Sequence, residues 1–128
     1  MRKRLIIIGL LLIFIISLVS ILWRVYDLSS EYNYATAKID IKNGDIKIIN
    51  IGTPKISSKD KEIEMTAKRY GFKNIYIEKY TQQQTKKGID NYNELIETYL
   101  AFRNGPDWKT SYKREVDSLY KVAAIQNN

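Results

Sequence analysis

The chain has 128 residues, 45% of them hydrophobic, with 21 Lys and Arg against 14 Asp and Glu and neither His nor Cys. That length supports one small domain. Without Cys there is no disulfide framework, thiol nucleophile or thiolate metal site, and without His the commonest neutral-pH base and metal ligand is missing. Ser-His-Asp, Cys-His and zinc-hydrolase chemistries are excluded by counting alone.

From Leu5 to Trp23, sixteen of nineteen residues are apolar, the exceptions being Gly9, Ser17 and Ser20. As a helix this run rises about 28 Å at roughly 1.5 Å per residue, close to the hydrocarbon thickness of a bilayer. The spacing predicts a transmembrane anchor, residues 5–23, with Leu5 and Ile13 in the hydrocarbon and Trp23 at the far interface. Arg2, Lys3 and Arg4 precede it, and the positive-inside rule keeps residues 1–4 in the cytoplasm. This predicts a single-pass protein of the plasma (inner) membrane with its C-terminal part outside. The competing reading is a cleaved signal peptide and a secreted product. The run exceeds the usual apolar region of a signal peptide, and Ala35-Thr36-Ala37, the one tidy small-x-small site, lies far beyond it. Beyond Trp23 the charge is 18 basic against 14 acidic, a modest +4.

Residues 24–37 are polar and aromatic without a period and read as a stalk. The predicted domain, 38–125, is α+β with the order ββαβαα: a three-stranded sheet with helices on one face. Ile39 and Ile41, then Ile46 and Ile48, alternate with polar residues on either side of Asn43-Gly44, the signature of a two-residue hairpin turn. Asp40, Asn43 and Asp45 lack the ligand spacing of a calcium loop. A helix is expected over 58–70, capped by Ser57 or Ser58, stopped by Gly71, with Ile63, Ala67 and Tyr70 on one face. Residues 72–80 form the third strand and 81–88 a polar loop. Asn91 and Glu94 open a second helix through Tyr92, Leu95, Ile96, Tyr99 and Leu100. Gly105 and Pro106 then precede a third, striped by Trp108, Tyr112, Val116, Leu119 and Ala123.

No motif assigns an activity, and none implies a cofactor or a metal. All ten tyrosines lie outside the apolar run, and Tyr76 and Tyr80 fit no predicted core face. Tyrosine suits interaction surfaces because it brings contact area at low entropy cost. The candidate partner-binding residues are therefore Tyr76 and Tyr80 with Gln82, Gln83, Lys86 and Lys87 of the polar loop. Membrane lipid is the partner of the N-terminal helix and an envelope protein that of the domain; export argues against nucleic acid. The alternatives are a small carboxylate-dependent glycan hydrolase, with Glu78, Asp90, Glu94 and Glu97 as its acids, and a non-catalytic assembly subunit. The hydrolase requires two carboxyls converging across a cleft.

Several motifs in the C-terminal half stand together: Ala67-Lys68-Arg69-Tyr70-Gly71-Phe72, Asn91-Tyr92-Asn93, Tyr99-Leu100, Arg103-Asn104-Gly105, Asp107-Trp108 and Glu115-Val116-Asp117-Ser118-Leu119. Over residues 60–120 this pattern resembles the FEKKY-domain group of small exported bacterial proteins. Many members of that group carry a Cys after the strand that follows the Tyr-Gly-Phe turn, and this chain has none. The resemblance implies placement in a bacterial envelope and no particular activity, so it transfers no functional residue.

Overall fold

The computed structural model describes residues 2–126; Met1, first of the expected cytoplasmic residues, and residues 127 and 128 lie outside them. Helix α1 (Arg2–Tyr26) runs 25 residues with none buried, and is long and apolar enough to cross a bilayer, a property that membrane anchors and signal sequences share. Ser20 turns its hydroxyl back onto the Ile16 carbonyl, 2.8 Å away, so it leaves no unpaired polar group on the apolar surface. α1 ends at Asp27, whose φ of 48° is left-handed, a conformation that Asp tolerates better than most residues.

Beyond it come α2 (Tyr34–Asn43), β1 (Lys47–Ile51), α3 (Asp60–Tyr70), β2 (Lys73–Ile77), α4 (Lys86–Asn104) and α5 (Trp108–Gln126). The fold is α+β, but the order after α1 is αβαβαα, and the sheet has two parallel strands among the described residues, not three. The predicted hairpin is absent. Residues 39–43 belong to α2, and Gly44, at φ 73°, is the left-handed end of that helix. The Gly44 and Asp45 amides donate to the carbonyls of Ile41 and Asp40 at 3.2 and 2.9 Å, a Schellman motif. Asn-Gly signals a positive φ in either setting, and here the helix supplies it. At the other end Asn33 caps α2: its side-chain oxygen accepts from the Ala35 and Thr36 amides while the Thr36 hydroxyl accepts from the Asn33 amide.

β1 and β2 pair in register from Lys47–Lys73 to Ile51–Ile77. Parallel strands cannot be joined by a tight turn, and α3 supplies the crossover. Gly71 ends α3 as expected, at φ 92°, and a Cβ there would lie 2.6 Å from the Arg103 guanidinium. No Ser caps the start of α3, whose N-cap position is Lys59; Ser57 instead bonds the Lys59 amide through its hydroxyl.

Helices cover both faces of the sheet. Lys47 and Lys73 share one face, where Lys47 meets Asp40 of α2, whereas Phe72 and Asn74 fall on the other, against Tyr112 of α5. Two-sided cover is what a parallel pair with crossover helices requires, which explains why the expected one-sided arrangement is not formed. The core runs through Ala37, Ile46, Ile49, Ala67, Phe72 and Trp108, with Tyr92, Ile96 and Leu100 of α4 as its largest fully buried side chains. α4 begins at Lys86, capped by Thr85, so it starts before Asn91 and absorbs the end of the expected loop. A Cβ on Gly88 would lie 2.3 Å from the Tyr32 carbonyl oxygen. That contact presses the segment predicted as a stalk onto α4, with Ser30 and Asn33 buried and Tyr32 edge-on to Tyr92 at 5.3 Å.

Candidate partner-binding surface

The two outer edges of the sheet are finished differently. On β1 the Asn93 side chain of α4 acts as a strand partner: its amide nitrogen donates to the Ile49 carbonyl at 2.8 Å, and its oxygen accepts from the Ile49 amide at 2.9 Å. On β2, the Lys73 amide bonds Ile46 and the Ile77 carbonyl receives the Gly52 amide, so these residues turn toward β1. Alternation then points the main chain of Asn74 and Tyr76 outward, and among the described residues no third strand pairs with them.

Beside that edge α3, β2 and the last turns of α5 enclose a groove of about 350 Å³, lined by Ile63, Ala67, Asn74, Tyr76, Tyr120 and Lys55. Tyr76 is 45% exposed. The Lys55 ammonium lies 4.5 Å from the centre of the Tyr120 ring, and the Tyr120 hydroxyl donates to the Lys55 carbonyl at 3.3 Å. Asn74 is fixed from two sides, accepting from the Asn50 amide and donating to the Tyr112 hydroxyl, each at 3.0 Å. Burial pushes the Tyr112 and Tyr120 hydroxyls above their ordinary range, so both stay protonated. Asp60, Glu64 and Lys73 also line the groove, so apolar, aromatic and charged side chains meet there beside the unpaired backbone of β2.

Of the residues singled out from sequence, Tyr76 lines this groove. Tyr80 and Gln82 are exposed beyond β2. The others are engaged elsewhere: the Gln83 carbonyl accepts from the Glu31 amide at 2.6 Å, Lys86 pairs with Asp90 at 2.6 Å, and the Lys87 ammonium donates to the Arg24 carbonyl at 2.9 Å. The candidate residues are thus divided among β2, the turn after it and the first turn of α4, which contacts the end of α1. Tyr120 was missed because it lies one position beyond the Leu119 stripe. Asn74 stands in no motif, and Asn93 only in Asn91-Tyr92-Asn93, which assigns it no role, since the importance of both depends on which strand edge they meet.

The carboxylates of the hydrolase alternative are distributed along α4 and past β2. Asp90, Glu94 and Glu97 border an open face at the α4–α5 junction; Asp90 is paired with Lys86, and Glu97 with Lys109 at 2.5 Å. Glu78 follows β2 and does not border that face. Among the described residues no group of three or more acidic side chains is placed to hold a metal ion.

A polar chain missed from sequence ties the closed side together. The buried Tyr92 hydroxyl donates to Asp40 at 2.6 Å, Asp40 and Asp45 both pair with Lys47 at 3.0 and 2.9 Å, and Asp45 reaches Lys73 at 2.6 Å. Lys73 and then Lys47 hold the Asp45 carboxyl below its usual value. Burial works against the charge on Lys47, but its bonds to Asp45 and Asp40 outweigh that and raise its pKa. Desolvation, reinforced by the Asp40 carboxylate, drives the Tyr92 hydroxyl far up, so it never ionises in the working range.

Fold and surface together define a small α+β unit behind a long apolar helix. Comparison with protein-family models, with curated proteins and with solved structures finds no match to this chain.

Proposed function

We propose that this chain is a single-pass membrane protein of the bacterial envelope, N-terminus cytoplasmic, whose outer domain binds an envelope protein by adding an extended segment of that partner to β2. The observation that supports it is the contrast between edges: Asn93 occupies the outer edge of β1, while the outer edge of β2 is left beside a groove. Strand addition draws affinity from main-chain bonds and specificity from side-chain pockets. Asn74 and Tyr76 supply the former; Ile63 and Tyr120 supply the latter. The anchor supports the envelope location, and the resemblance to FEKKY-domain proteins fits it.

The test is a photo-crosslinking residue at Tyr76, introduced into the full chain in intact membranes. The expected result is one discrete adduct, lost when Pro replaces Asn74 and removes an outward amide, and absent when the probe is placed at Arg114 on the far surface of α5. Equal labelling from both probes overturns the assignment. Protease accessibility of the domain in spheroplasts, but not in inverted vesicles, checks the orientation.

A further inference from the structure

The region where α1 meets the folded unit contains a second concavity, of about 240 Å³, lined by Tyr26, Tyr34, Asn91, Glu94, Leu95 and Thr98. Its depth follows from the anchor. Tyr26 lies three residues past Trp23, so about 4.5 Å further along the axis at roughly 1.5 Å per residue. The headgroup layer adds about 5–7 Å on each side of the hydrocarbon, so a helix spanning 5–23 sets this concavity among the headgroups. The joint is also fixed. The Thr85 hydroxyl donates to the Asp27 carboxylate, and the Lys87 ammonium donates to the Arg24 carbonyl, binding the first turn of α4 to the exit of α1.

The lining has the chemistry of a zwitterion's complement. The Asn91 side-chain nitrogen is buried and has no acceptor among the described residues, and an unmet buried donor is costly unless something supplies the acceptor. Glu94 forms no ion pair among the described residues, unlike Asp90 and Glu97 on the same helix. The Tyr26 and Tyr34 rings stand 5.5 Å apart at 41°, and the Tyr34 ring already has the Lys38 ammonium 4.8 Å from its centre. A carboxylate beside aromatic faces favours an ammonium; an amide donor favours a phosphate oxygen.

We propose that this concavity binds the headgroup of an amine-bearing phospholipid, with Glu94 and Tyr26 on the ammonium and the Asn91 amide on the phosphate. The proposal rests on α1 remaining in the bilayer and is independent of the β2 surface. The headgroup thereby sets the height of the domain above the membrane.

The test uses the full chain in nanodiscs containing equal amounts of phosphatidylethanolamine and phosphatidylglycerol with matched acyl chains, released into native mass spectrometry. Retention of phosphatidylethanolamine about tenfold over phosphatidylglycerol is expected. Glu94→Gln and Asn91→Leu should each cut that preference at least fivefold, and Glu97→Gln should leave it unchanged. Equal retention of the two lipids, or a Glu94→Gln variant indistinguishable from the parent, overturns the proposal. Soluble phosphoethanolamine binding as tightly as the lipid also overturns it, since the ligand is then a free metabolite. Extraction of the protein by alkaline carbonate would instead overturn the anchor, a failure distinct from loss of lipid preference.

Discussion

The two edges of the small sheet pose the same physical problem and receive opposite solutions. Each exposes main-chain donors and acceptors that invite pairing with another strand, a liability that proteins usually cover or disrupt. On β1 a single side chain, Asn93, meets both groups of Ile49, and the adjacent surface is closed by α2, α4 and the Tyr92–Asp40–Lys47–Asp45 chain. On β2 the residues nearest the edge are a tyrosine half in solvent and an asparagine occupied by its neighbours, and the surface beside them is a groove. One edge is finished by a side chain and the other is left bare. The difference teaches that in so small a domain open backbone is found where the fold stops covering itself.

The contrast fails if the two edges respond alike to substitution. The largest expected effect is Asn93→Leu, which leaves the buried Ile49 amide and carbonyl without partners. At about 1–3 kcal/mol for each unmet group, thermal or denaturant unfolding should show a loss of roughly 2–6 kcal/mol. Gly88→Ala comes next, because its Cβ would meet a backbone carbonyl and force the Tyr32 segment away from α4. An overpacking cost of about 1–3 kcal/mol is expected in the same assay, with faster hydrogen exchange at residues 30–33.

Smaller effects sharpen the comparison. Asp45 has a lowered pKa, so its ion pairs contribute above the unfolded value of 3.8 and are lost as pH falls through the lower folded value. Its carboxylate is 42% exposed, which screens the pairs and limits their worth to under about 1 kcal/mol. Asp45→Asn should therefore lose up to that amount at neutrality and nothing at a pH where Asp45 is already protonated, flattening the stability profile below pH 3.8; an equal loss at both ends would contradict this. Tyr76→Ala should change stability by less than about 0.5 kcal/mol while abolishing the proposed partner contact. A large loss of stability there would mean that β2 is a structural edge after all.

The long apolar helix was legible residue by residue, because nineteen positions without a charge admit few structures. α3 with its Gly71 stop and the stripes of α4 and α5 were legible for the same reason, since helical periodicity is local. What misled was also local. Ile39 and Ile41 alternate with polar residues for too few positions to separate a strand from a helix, and Asn43-Gly44 announces a positive φ without saying which element needs it. The same four positions fit a helix whose Ala37 and Ile41 turn inward, once Asn33 and Thr36 are seen as its cap. Of the candidate surface only Tyr76 was legible, as a tyrosine without a core face; Asn74, Asn93 and Tyr120 have no local signature.

By itself, then, the sequence determined that a helix able to span a bilayer precedes one small α+β unit, and that histidine and cysteine chemistry is closed to it. Only the tertiary structure decided that the strands run parallel, that one edge is plugged and the other bare, and that Asn91 and Glu94 converge with Tyr26 at the exit of α1. The division has a physical cause. Helices are specified by neighbours three and four residues away, whereas strand pairing and concavities are made by residues far apart in the chain, whose meeting depends on which faces the whole fold can bury.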